Sequence, residues 1–157
     1  MARQNSINAL KGSFSLTTLL FVLTAFHHYY GSIAYGTPWR AHVVLVGGIA
    51  LLLCFLLYRL FLRDQNRWLL YSYLLTAFIV FGLLIGLTEG FYNHTVKDLL
   101  YFSGMRVSSW RILFPAPVYE LPDNVIFEST GILQFPLGII QIYTLYNTYR
   151  RYKNVML

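Results

Sequence analysis

The sequence is poor in charge. Only 11% of its 157 residues are Asp, Glu, Lys or Arg, against about a quarter in an ordinary soluble domain. So little polar surface cannot cover the core of a short water-soluble chain. Cysteine is almost absent too. The single Cys54 lies in an apolar run, which excludes an internal disulfide, a CxxC redox pair and a cysteine metal cluster. The sequence has no phosphate-binding glycine loop, no nucleophile elbow, no dinucleotide fingerprint and no HExxH, so nothing points to nucleotide-driven chemistry. Acidic residues number 6 against 12 basic ones. The basic residues are scattered between apolar runs rather than gathered in a patch, so the net charge of +6 speaks for membrane topology and against a nucleic-acid partner. There is no internal repeat and no low-complexity segment.

What the chain has in abundance is apolar length, with 57% hydrophobic residues. A bilayer core about 30 Å thick needs about 20 apolar residues in a helix. Four runs meet this, at about 14–33, 41–62, 68–89 and 123–146. In hydrocarbon every backbone amide must be paired within its segment, so these runs are expected to be helices. The expected fold is an all-α integral membrane bundle of four transmembrane helices, one polytopic domain over residues 1–157. Arg3 and Lys11 precede the first run as in a signal peptide, but the bulky His27-His28-Tyr29-Tyr30 stretch argues for a retained helix.

Loop charge sets the orientation. One side holds Arg3, Lys11, Arg59, Arg63, Asp64, Arg67, Arg150, Arg151 and Lys153. The other holds Arg40, Lys97, Arg106 and Arg111 with Glu89, Asp98, Glu120, Asp123 and Glu128. The positive-inside rule places the first side, and with it both termini, in the cytoplasm of a plasma membrane or bacterial inner membrane. The outer connection at 90–122 is long, and long connections are often functional. Its first part, 94–102, has Val96, Leu99, Leu100 and Phe102 beside Lys97 and Asp98, which suits a short helix lying along the interface. Pro115, Pro117 and Pro122 favour an extended return to the fourth helix. Gly82, Gly86 and Gly90 share one face of the third helix and permit close helix approach. That face serves packing within the chain or, alternatively, a homodimer. Membrane lipids are the expected surroundings, and a membrane-protein partner is the further possibility.

Ionisable residues gather at one depth. His27 and His28 lie near the outer end of the first helix and His42 opens the second. Glu89 closes the third, with Asn93 and His94 after it, and Asp123 and Glu128 open the fourth. Such groups in membrane helices usually face the bundle interior or a water-filled cavity. Three readings follow. His27, His28, His42 and His94 with carboxylates can ligate a transition metal such as zinc, iron or copper. Glu89 and Glu128 can perform acid–base catalysis on a lipidic substrate. The layer can also be an interhelical network, with the carboxylates paired to Arg40, Lys97 or Arg111. The outer position of His28 and His42 argues against haem. The spacing matches no metal motif, and Glu89 and His94, five apart, do not share an α-helical face.

The function expected from these residues is an outward-facing His/carboxylate pocket that binds a metal ion or a small lipidic molecule, with membrane-embedded catalysis as one use. Asn93 and Asp123 are expected in the same pocket. The alternative is a non-catalytic accessory or assembly subunit of a larger membrane complex, docked through the long outer segment. A small transporter ranks third, because the inner halves of the helices carry few strongly polar groups beyond Gln134 and Gln141.

Overall fold

The computed structural model describes the backbone of residues 2–156 and the side chains of residues 4–153. The side chain of Arg3, counted above in the inner charge, lies outside the described residues. Four long helices form the bundle: α1 (Ala2–Ala34), α2 (His42–Asp64), α3 (Arg67–Phe102) and α5 (Val125–Met156). A short α4 (Val107–Leu113) lies in the connection between α3 and α5. All four long helices are apolar enough to cross a membrane. Their exteriors carry Leu45, Val46, Ile49, Leu52, Leu75, Ile139 and Ile140, each largely exposed. In water such a surface would aggregate, whereas in lipid it is the expected contact. The most apolar helix, α2, has a mean hydropathy of 2.5 and is the least covered by its neighbours.

The turns follow from local chemistry. Pro38 opens a short 3₁₀ turn, Pro38–Ala41, between α1 and α2. Helix α2 stops at Gln65, which takes a left-handed φ of 51° and returns its N–H to Phe61 O at 2.9 Å. Asn66 then caps α3 by accepting from Trp68 N at 2.9 Å.

Helix α3 departs from expectation in two ways. It does not end near 89 but continues unbroken to Phe102, so 90–102 extends the helix instead of forming the start of a loop. From Phe78 to Val96 its backbone winds in the wide i→i+5 pattern. The glycine row predicted for close packing sits against α5 of the same chain: a methyl on Gly86 would lie 2.6 Å from Gly138 Cα, and one on Gly82 would lie 2.9 Å from Ile142 Cγ1.

The half of the bundle nearer the termini is more polar than the sequence suggested. Ser13 Oγ meets Tyr73 OH at 2.9 Å, Gln141 Nε2 donates to Thr17 Oγ1 at 2.5 Å, and Thr24 Oγ1 donates to Gln134 Oε1 at 2.7 Å. Gln134, Gln141 and Thr148 on α5 repeat every seven residues, as do Thr17 and Thr24 on α1, and all five are buried. This buried row joins α1 to α5 and leads outward to His27.

Candidate metal centre

The outer end of the row opens onto a cluster built from α1, α3 and α5. His27 is fully buried, its ring stacked on Phe127 at 4.1 Å and set at right angles to His94 at 4.6 Å. Glu89 and His94 come from α3. In an α-helix residues five apart diverge, but the i→i+5 winding of this stretch holds them one above the other. Glu89 Oε1 then stands 3.5 Å from Nε2 of His27, of His28 and of His94 alike. The ligand atoms of His27, Glu89 and His94 lie within 4.8 Å of one another and can hold a metal ion. Zinc bound at 2.0–2.1 Å in a tetrahedron separates its ligands by about 3.3 Å, so 3.5 Å is close to a ligation spacing.

The hydrogen placement follows from the outer partners. The Thr130 hydroxyl gives its single proton to backbone carbonyls, Ile126 O at 2.7 Å or Phe127 O at 3.0 Å. Its oxygen therefore accepts from His27 Nδ1 at 3.0 Å. That leaves His27 Nε2 bare, and it is buried without a hydrogen-bond partner. His94 Nδ1 lies 2.6 Å from Glu128 Oε2 and donates to it, so in the neutral ring its Nε2 is bare as well. Two imidazole lone pairs and a carboxylate oxygen thus face one another. Without a positive charge among them this arrangement is repulsive. A carboxylate on the far nitrogen is the usual way a ligating histidine is oriented.

The surroundings fix the carboxylates. Lys97, only 1% exposed, donates to Glu128 Oε1 at 2.7 Å and stands 3.5 Å from Asp98 Oδ1. Asn93 Nδ2 donates to Glu89 Oε2 at 2.6 Å, and Tyr119 OH donates to Asn93 Oδ1 at 3.0 Å. Burial and the neighbouring Tyr92 and Glu89 hold the Tyr119 phenol above its ordinary pKa, so it stays a donor at neutral pH. The connection after α3 folds back over this end. Trp110 is fully buried and donates from Nε1 to Lys97 O at 3.0 Å. Beside the cluster lies a cavity of about 230 Å³, walled by Glu89, His28, His94, Arg40, Trp39 and Tyr119 among others.

Of the residues singled out in the sequence, His27, His28, Glu89, Asn93, His94 and Glu128 come together. His42 does not. It is exposed, its Nδ1 3.0 Å from Trp39 O. Asp123 is exposed at the rim and accepts from Tyr35 OH at 3.3 Å. Sequence reasoning missed Thr130 and Arg40 as a cavity wall; Lys97 was among the cations it offered to the carboxylates, and Gly131 was a glycine it read as a packing notch, without its contact to His94. A methyl on Gly131 would overlap the His94 ring, so only glycine leaves room for it. No signal in one sequence marks Thr130, because it acts through a neighbour on another helix.

No family model matches the chain, no curated protein matches it, and no solved structure matches it.

Proposed function

We propose that this chain is a membrane-embedded metal protein whose metal is reached from the outer side through the cavity, with both termini cytoplasmic. The observation that carries the reading is the convergence of unpartnered His27 Nε2 and of His94 Nε2 on Glu89 Oε1, each 3.5 Å from it, with all three ligand atoms within 4.8 Å of one another. Charge supports a divalent ion. Arg40 and Lys97 are linked through ion pairs and the cavity to Glu89, Asp98, Glu120 and Glu128, two formal positive charges against four negative. A 2+ ion balances the set in a medium where an unbalanced charge is costly. Two imidazoles and one carboxylate suit zinc or iron(II), and a three-ligand protein site leaves a position open for water or substrate. His28, turned towards the cavity, faces that position.

In this reading Glu89 is a ligand, and Glu128 is the group that orients His94. Lys97 in turn fixes Glu128, whose two oxygens are both occupied. That leaves Glu128 poorly placed for free acid–base work. The accessory-subunit reading needs residues 95–122 as a free docking face. Lys97, Asp98, Trp110 and Phe114 of that segment are buried and roof the site, while Leu99, Phe102, Val107 and Ile112 face outward and leave a face for lipid or a partner.

The test is elemental analysis of detergent-purified protein. Near-stoichiometric zinc or iron is expected, lost in Glu89→Gln and His94→Ala proteins that still accumulate in the membrane. Metal-free wild type that cannot be loaded with either ion would sink the reading. Cysteine labelling from outside the cell at position 120, with none at 65 or 153, is the expected mark of the orientation.

A further inference from the structure

Arg40 is a buried and incompletely satisfied charged side chain at the site. It is 5% exposed. Of the five N–H donors of a guanidinium, one on Nη2 donates to Val118 O at 3.1 Å, the one hydrogen bond it makes among the described residues. Glu120 Oε1 stands 3.6 Å from Nη2, an ion-pair separation too long for a hydrogen bond. Nε is buried with no partner. Aromatic rings hold the group in place: its carbon lies 5.0 Å from the Trp39 ring, 5.2 Å from Phe127 and 5.5 Å from Tyr35. Ring faces attract the charge but do not satisfy the in-plane N–H fork. A desolvated guanidinium with idle donors is costly unless a planar acceptor meets it. The fork matches a carboxylate or phosphate in bidentate fashion.

We infer that the cavity binds a small molecule through an oxyanion group, carboxylate or phosphate, seated on Arg40. Its body then lies along Trp39 and Val43, towards His28 and Glu89. This extends the metal reading, because the ligand would lie against the open side of that site. Glu120 marks the place of the oxyanion without filling it. It sits on a connection, with its side chain 27% exposed, and can give way to solvent. An incoming monoanion then replaces one negative charge with another, and the balance of the set is kept. The apolar wall beside the fork fits the carbon skeleton of an amphiphile.

The experiment is calorimetric titration of Co²⁺-loaded protein in non-ionic detergent with acetate, inorganic phosphate and decanoate. Wild type, Arg40→Gln and Val43→Phe are compared, and the Co²⁺ affinity of each is measured by chelator competition. Saturable binding is expected in wild type, about tenfold to a hundredfold weaker in Arg40→Gln, as befits a lost charged hydrogen bond. Val43→Phe, which narrows the cavity without touching its polar groups, is expected to weaken binding while Co²⁺ affinity stays unchanged. Decanoate far tighter than the other two identifies a lipidic source, and acetate or phosphate of equal strength identifies a soluble one. No saturable binding of any of the three, or equal binding in Arg40→Gln, overturns the inference. Arg40-dependent binding by a protein that takes up no Co²⁺ would refute the metal reading and leave the anion site standing.

Discussion

Replacing Thr130 with valine removes one oxygen atom and little volume, yet it acts on where a proton sits. Thr130 Oγ1 is the acceptor that keeps the His27 proton on Nδ1. Without it that N–H is buried and unpaired, at a cost of about 1–3 kcal/mol. The imidazole can escape the cost by moving the proton to Nε2, where it points at Glu89 Oε1 3.5 Å away. That tautomer cannot ligate a metal. Loss of such an outer partner typically weakens metal affinity about 10–100-fold. At a metal concentration near 1,000 times the wild-type Kd, bound metal stabilises the folded protein by about 4.1 kcal/mol. The variant keeps about 2.7 kcal/mol of this after a tenfold loss, and about 1.4 kcal/mol after a hundredfold loss. Chelator competition gives the Kd, and thermal unfolding with and without metal gives the linked stabilisation. An unchanged Kd in folded Thr130→Val, or a loss confined to metal-free stability, would refute the proton assignment and the argument built on it.

Gly131→Ala places a methyl in the space of the His94 ring. It is expected to abolish metal loading while the protein still reaches the membrane, read by elemental analysis. Metal occupancy should fall on acidification, because imidazole ligates only when neutral. The sign is a stabilisation present at higher pH and lost on acidification, followed by thermal unfolding in the presence of metal. Gln141→Leu breaks the bond to Thr17 in the inner row. It should lower stability by only about 0.6 kcal/mol, the mean for an interhelical bond in a membrane protein, and should leave metal binding as it was.

The helix count was legible because twenty apolar residues in a row have few other uses. The gathering of His27, His28, Glu89, His94 and Glu128 was legible as a depth band, because ionisable groups inside membrane helices need partners. Their mutual geometry was not. The five-residue gap between Glu89 and His94 looked unfavourable only on the assumption of α-helical winding, and nothing in the sequence announces the wider turn. The segment 94–102 was expected to be a short helix, and it is helical but continuous with α3. Its apolar and polar residues were sorted as though one face met water. In the structure Lys97 and Asp98 are 1% and 6% exposed, while Leu99 and Phe102 are 68% and 70% exposed. The segment's polar residues turn into the bundle and its apolar ones outward, as happens when the surrounding solvent is apolar. The serines and threonines of the inner row were passed over because a hydroxyl hardly lowers hydropathy. Burial between two helices is what makes it count.

The glycine row also sets the geometry of the His/Glu cluster. Gly86 on α3 and Gly138 on α5 bring two backbones close enough that neither position tolerates a side chain. One to two turns further out, the same approach lets the His94 ring lie on Gly131 and brings Glu128 to 2.6 Å from its nitrogen. A larger residue at Gly86 would push the helices apart at the point where that bond is set. A shift of 1 Å is enough to break it. His94 would then lose the partner that keeps its Nε2 bare, and Lys97 would lose its nearest carboxylate. Glycines that the sequence presents as packing devices are therefore also determinants of which imidazole nitrogens carry protons. In this bundle the spacing of two helices sets the chemistry of the site.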